Sequence, residues 1–105
     1  MVKIQKIRSF NVDINSKLMN KLRTILNKHD PMGIYFGKNV NLNEYDPEIK
    51  NIYYDFKKCK NLKEFNKLVY SVFTYWFGGD VIGNKSKYSK ISNEIYPVLK
   101  IHFKK

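Results

Sequence analysis

The sequence predicts a mainly α protein, a compact array of about four helices around a central helix at residues 61–77. A short pair of strands at the chain ends is also compatible with it. Three observations favour this class. Apolar residues recur at helical spacing in several segments. Polar residues that cap helices stand before these segments, and Gly or Pro follows them. The 105 residues carry no repeat or linker, so we expect a single domain, 1–105.

The first predicted helix begins after Asn15 or Ser16, either of which can accept hydrogen bonds from the first free N–H groups. Its apolar face carries five residues at helical spacing, Leu18, Leu22, Ile25, Leu26 and His29. Asp30-Pro31 ends it, because proline lacks an N–H and disfavours helical geometry in the residue before it. We expect Asp30 and Glu44 to order the intervening loop by accepting backbone hydrogen bonds.

A loop over residues 34–43 leads to the second predicted helix, which begins at Asp46-Pro47-Glu48. Asp46 is predicted to cap it, proline suits the first helical position, and an acid suits the positive end of the helix dipole. Its buried face is Ile49, Ile52, Tyr53 and Phe56. The lysine-rich segment 57–60 follows, where cations suit the carboxyl end of a helix.

The third predicted helix begins at Asn61, and Glu64 completes a pattern that resembles a capping box. Gly78-Gly79 ends it. Its apolar residues cover about half of its circumference: Leu62, Phe65, Leu68, Val69, Val72, Phe73, Trp76 and Phe77. A helix with so wide an apolar face is expected to lie at the centre of the fold.

Both ends of the chain allow more than one interpretation. Apolar and polar residues alternate over 10–14, which suits an extended arm or an edge strand. Near the other end, Tyr88, Ile91 and Ile95 fit a helix face. Segment 97–103 fits either a helix or a strand, and the interpretation we favour is a helix broken near Pro97.

Composition sets limits on cellular setting and on partners. The 20 Lys and Arg against 9 Asp and Glu give a formal net charge of +11, which favours an acidic partner, phosphate, or solubility alone. The first ten residues lack the apolar core of a signal peptide. The charge-free stretch that begins at Leu68 is shorter than the roughly 20 apolar residues of a membrane span. The expectation is a soluble, cytoplasmic protein.

Candidate catalytic and metal-binding residues are few. Cys59 is the single thiol, and the lysines around it are predicted to lower its pKa. No motif places His29 or His102 beside it. The acids at 44, 46 and 48 lack the glycine of a calcium loop. We therefore expect no enzymatic activity, no metal and no cofactor.

Two groups of residues are candidates for binding a partner: Tyr35, Phe36 and Lys38 in the loop, and Lys50, Tyr54, Lys57 and Lys58 on the outer side of the second helix. Tyr and Phe bury much area at low entropic cost, and lysines attract acidic surfaces. The loop aromatics equally suit a role in packing the loop against the core. Lysines beside an exposed tyrosine also suit nonspecific RNA or DNA binding, although arginine, the usual reader of bases, is nearly absent.

Three short motifs carry a resemblance to a known family: Asp30-Pro31-Met32-Gly33-Ile34, Glu44-Tyr45-Asp46-Pro47-Glu48-Ile49, and Val72-Phe73-Thr74-Tyr75-Trp76-Phe77-Gly78. Over about residues 18–78 the chain resembles a family of small, mostly uncharacterised bacterial helical domains. Similar domains act as immunity partners of polymorphic toxins, including contact-dependent growth-inhibition systems. The resemblance implies a binding protein without catalysis that neutralises a cognate toxin, and it supplies no catalytic residue.

Overall fold

A computed structural model describes residues 16–37, 40 and 43–104. These residues form four helices, namely α1 (Lys17–His29), α2 (Asp46–Asp55), α3 (Leu62–Phe77) and α4 (Lys85–Lys104), and a 3₁₀ turn, Phe56–Lys58, that directly follows α2. No strand occurs in this part of the chain, so the mainly α class is confirmed. The predicted amino-terminal arm lies outside the described residues.

Helix α1 begins and ends where the sequence predicts. The Ser16 hydroxyl accepts a hydrogen bond from the Met19 N–H at 3.2 Å. Asp30 follows the helix in a left-handed conformation, with φ of 43°. Its Oδ1 accepts from the N–H groups of Ile34, at 2.9 Å, and Tyr35, at 3.1 Å. Asp30 therefore ends the helix and holds the turn that follows, as predicted.

Helix α2 begins at the predicted place, but the prediction that Asp46 caps it is wrong. Tyr45 occupies the capping position, and no side chain caps this helix. The Asp46 carboxylate instead binds Arg23 of α1, whose side chain is buried. A buried guanidinium needs an anionic partner. The ion pair between α1 and α2 therefore stabilises the fold more than a cap on the first turn of α2 would.

Helix α3 packs chiefly against α2 and α4 and has the expected apolar face, and the Asn61 cap is confirmed. Asn61 Oδ1 accepts from the Glu64 N–H at 2.9 Å, and Glu64 Oε1 accepts from the Lys60 N–H at 2.8 Å. Five of its residues are fully buried: Phe65, Leu68, Val69, Val72 and Phe73. Helices α2 and α4 pack against it, and α1 packs against both of those helices.

The buried face of α3 is narrower than the sequence predicts. Leu62, in the first turn, is 37% exposed. Trp76 and Phe77, in the last turn, are only partly buried. The Trp76 indole N–H donates to Asn51 Oδ1 of α2 at 2.7 Å, so this side chain lies where a polar partner is available.

Helix α4 continues through Pro97, so the predicted break and the alternative strand at 97–103 are both wrong. Pro97 is exposed, and it cannot donate the usual bond to the carbonyl four residues before it. Ile95 and Leu99, on either side, are both buried in the core. Burial of these two side chains stabilises the helical path across the proline. At the other end of the helix, Tyr88 and Ile91 are buried on the predicted face.

Candidate functional site

The carboxyl ends of α2 and α4 meet in a cluster of aromatic rings. Phe56 stacks on Phe103 with a centroid distance of 5.4 Å and an interplanar angle of 14°. Tyr53 lies 5.2 Å from Phe103, and Phe56 lies 5.8 Å from Tyr96, both measured between ring centroids. Aromatic pairs at these distances stabilise the contact beyond their buried area alone. The cluster therefore holds the end of α4 against the end of α2.

Two lysines lie over these rings. Lys57 Nζ is 5.0 Å from the Phe103 ring centroid, and Lys100 Nζ is 5.7 Å from that of Tyr96. Such cation–π contacts restrict the lysine stems. We call this surface the basic aromatic end, and it consists of Tyr53, Lys57, Tyr96, Lys100 and Phe103, which lie over the buried Phe56 ring.

Lys58 and Tyr54 lie beside the basic aromatic end. Tyr54 is 56% exposed, and Lys58 Nζ is 5.9 Å from its ring centroid. Lys58 Nζ is also 3.0 Å from Oδ1 of the buried Asp55, and this hydrogen bond raises the pKa of Lys58. Lys58 thus neutralises a buried carboxylate of its own chain. Among the predicted binding residues it is therefore the one whose charge is least available to a partner.

The predicted loop group lies elsewhere. Phe36 is 73% exposed, whereas Tyr35 is partly buried and its N–H donates to Asp30. Lys38 lies outside the described residues. Of the second predicted group, Lys50 and Tyr54 lie on α2 and Lys57 and Lys58 lie in the 3₁₀ turn that follows it.

The partners of Lys57 on α4 were missed from the sequence. Tyr96, Lys100 and Phe103 are spaced i, i+4 and i+7, which places them on one side of a helix. This spacing indicates a shared face only if segment 97–103 is helical. Because the sequence of that segment fits a strand equally well, the shared face was not predicted. Lys50 lies one heptad before Lys57 and is half-buried on α2.

The environment of Cys59 is opposite to the sequence-based prediction. Burial raises the pKa of its thiol to about 11, and the negative charges of Glu64 and Asp55 act in the same direction. Two of the neighbouring ammonium groups are engaged elsewhere, Lys57 with the Phe103 ring and Lys58 with the Asp55 carboxylate. The thiol is therefore protonated at neutral pH.

Other site types were sought in the described part of the chain. No group of three or more His, Cys, Asp or Glu side chains there is arranged to hold a metal ion. None of the four described helices combines the length and the apolar character needed to cross a membrane. His102 packs against the rings of Tyr53 and Phe103, and His29 contacts Glu94 of α4.

Comparisons of the chain with protein-family models, with curated proteins and with solved structures gave no match.

The chemistry of the basic aromatic end indicates which kind of partner it can bind. Its ammonium groups attract carboxylates or phosphates, and its packed rings offer apolar area that is already ordered. The surface is suited to binding an acidic macromolecule.

Proposed function

We propose that this protein is a non-enzymatic immunity protein that binds an acidic surface of a cognate bacterial toxin and thereby neutralises it. The observation that carries the proposal is the basic aromatic end, where Lys57 of the 3₁₀ turn and Lys100 of α4 lie over a packed aromatic cluster. The three sequence motifs resemble those of domains that act as immunity partners, and this resemblance supports a toxin as the binding partner.

The geometry favours a protein partner for two physical reasons. Phe103 is held by stacking on Phe56, so a partner that covers it immobilises little additional side-chain freedom. Aromatic residues in such settings are common energetic centres of interfaces. Lysines around them accelerate encounter with a surface of opposite charge, and the net charge of +11 acts in the same sense at longer range.

The direct test is co-expression with the product of the adjacent upstream gene. We expect an equimolar complex and loss of that product's toxicity in cells. A toxic neighbour that neither binds the protein nor is neutralised by it would contradict the proposal, as would the absence of any toxic neighbour together with no bound partner in a pull-down.

Charge reversal then tests the surface. The variant K50E/K57E/K100E changes the basic aromatic end and its neighbour Lys50, and it keeps Lys58 because Asp55 requires a counter-ion. The matched control K17E/K21E/K90E makes the same charge change at exposed positions on α1 and α4. We expect the first variant to associate about tenfold more slowly at low salt, with a smaller defect at high salt. Equal defects in both variants would show that net charge alone is responsible.

Nonspecific RNA or DNA binding is a second candidate, favoured by the exposed Tyr54 ring beside the Lys58 ammonium. Base stacking on tyrosine and phosphate neutralisation by lysine would supply the affinity. A mobility-shift assay at low salt tests it, and affinity should fall steeply as salt rises. If micromolar protein fails to shift RNA or DNA at low salt, this second function is excluded.

A further inference from the structure

Pro97 lies in the interior of α4, on the side of the helix that faces solvent. Residues 85–96 precede it in the helix and residues 98–104 follow it. The buried side chains of Tyr88, Ile95 and Leu99 lie about 160–200° around the helix from Pro97, because each residue rotates the helix by about 100°. The proline is therefore directly opposite the face that α4 packs into the core.

The neighbours of Pro97 on its side of the helix are exposed. Lys90, Asn93, Ile101 and Lys104 lie within about 40° of it around the helix, and each of them faces solvent. Pro97 itself is exposed, so its ring gains little from contact with the core. A proline is the least favourable residue in a helix interior, and any good helix former would suit a solvent-facing position better. The proline therefore needs an explanation other than packing.

A proline changes the direction of a helix according to the side on which its ring lies. In a straight helix the ring of Pro97 would collide with the carbonyl group of Asn93, four residues earlier, and it supplies no N–H to that carbonyl. Both effects separate the turns on the side of the proline, so the helix axis bends away from it. Because Pro97 is opposite the core, this bend directs residues 98–104 towards the core.

The last turns of α4 carry contacts that form the basic aromatic end. Phe103 stacks on the buried Phe56 ring at 5.4 Å between centroids, and Lys57 Nζ lies 5.0 Å from the Phe103 centroid. Phe103 lies about 9 Å beyond Pro97 along the helix, so a bend of about 20° displaces it by about 3 Å. An outward displacement of this size would open the ring stacking. It would also take the Phe103 ring beyond the range of about 6 Å at which Lys57 makes its cation–π contact.

We propose that Pro97 is a positioning residue for the basic aromatic end. It bends α4 towards the core and thereby places the Phe103 ring on Phe56 and beneath the Lys57 ammonium group. A partner that binds this surface meets an aromatic ring and a lysine that are already in place, and less conformational freedom is lost on binding. The effect on the surface is independent of any partner, and only its consequence for toxin binding rests on the proposed function.

The first experiment uses NMR on the isolated protein and compares P97A with the matched control N93A, an exposed position one turn earlier that keeps the proline. Alanine supplies the missing N–H and favours a helix, so P97A keeps its fold. Residual dipolar couplings should give an angle of about 20° or more between segments 85–96 and 98–104 in the wild type and N93A, and a clearly smaller angle in P97A. The Lys57 ε-protons, shifted upfield by the Phe103 ring, should move towards their random-coil position in P97A alone. The same angle in all three proteins, or an unchanged Lys57 shift in P97A, would overturn the proposal.

The second experiment measures toxin binding by the same variants. P97A should raise the Kd about tenfold, because the partner must then order the aromatic ring that the bend holds in place, whereas N93A should bind like the wild type. A wild-type Kd in P97A, with the altered helix angle established by NMR, would overturn the role of Pro97 in binding. A wild-type protein that binds no toxin would contradict the proposed function instead, and the NMR comparison would still decide whether Pro97 positions the surface.

Discussion

Arg23 of α1 and Asp46 of α2 form a bidentate ion pair inside the protein. Arg23 Nε donates to Asp46 Oδ1 at 2.9 Å, and Nη2 donates to Oδ2 at 2.7 Å. Their side chains are 5% and 13% exposed. Nη1 also donates to Asn20 Oδ1 at 3.0 Å, which leaves the guanidinium well satisfied. The pair joins α1 to the first turn of α2 and fixes the position at which the chain returns from the loop.

Removal of one partner should be far more damaging than removal of both. In Arg23→Met the carboxylate of Asp46 loses its counter-ion, and we expect a cost of about 3–5 kcal/mol in the free energy of unfolding. The double variant R23M/D46L should recover most of this loss, because no buried charge is left unpaired. Urea unfolding of R23M, D46L and R23M/D46L measures the free energy of unfolding of each variant. Additive costs in the double variant would contradict the coupling.

Tyr45 connects the two turns around the loop through its hydroxyl. The group donates to Asp30 Oδ1 at 2.7 Å and accepts from the Met32 N–H at 3.0 Å, and the side chain is 1% exposed. Tyr45→Phe leaves the partly buried Met32 N–H without this acceptor and removes the donor to Asp30, and it should cost about 1–3 kcal/mol. Tyr75→Phe is the control, since Tyr75 is 45% exposed and should change stability by less than about 0.5 kcal/mol. Equal thermal shifts would contradict this role.

Glu48 makes stability depend on pH. It is 2% exposed, and burial, helped by the charges of Asp46 and Glu44, raises its pKa to about 8. In the unfolded chain a glutamate has a pKa of about 4.3, so the folded state binds the proton more tightly. The stabilisation that this proton contributes is fully present below pH about 4.3 and is lost as pH rises to about 8. Over this range the free energy of unfolding falls by at most about 1.4 kcal/mol per pH unit.

Glu48→Gln should remove this slope and make the variant more stable than the wild type above pH about 8. The control is Asp80→Asn at an exposed position, which should keep the wild-type slope. Denaturant unfolding at pH 5, 7 and 9 provides the comparison. A wild-type slope that persists in Glu48→Gln would assign it to another group.

Cys59 should react slowly with alkylating reagents. Its pKa of about 11 leaves little thiolate at pH 8. The rate of iodoacetamide modification is expected to be at least about tenfold below that of a cysteine in an unstructured peptide and to continue rising above pH 10. Mass spectrometry of time points measures the rate. A rate that levels off near pH 8 would show that the lysines do lower the pKa.

The helix boundaries were predictable because they depend on neighbours in sequence. Ser16, Asn61 and Asp30 each bind backbone groups within five residues, and such short-range bonds are readable from residue type and spacing. Part of the candidate site was predictable for the same reason, since Lys50 and Tyr54 on α2 and Lys57 in the 3₁₀ turn directly after it follow one another at helical spacing. Asp46 was misread because its partner, Arg23, lies 23 residues away.

The sequence by itself determined the mainly α class, the strongly apolar helix α3 and the net positive charge, since apolar periodicity and composition need no knowledge of the fold. Only the tertiary structure decided that α4 continues through Pro97, that Lys57 lies over Phe103, that Glu48 is buried and that Cys59 is partly buried. These features depend on which helix packs against which. Burial and long-range contact are properties of the assembled helices, and a local pattern does not contain them.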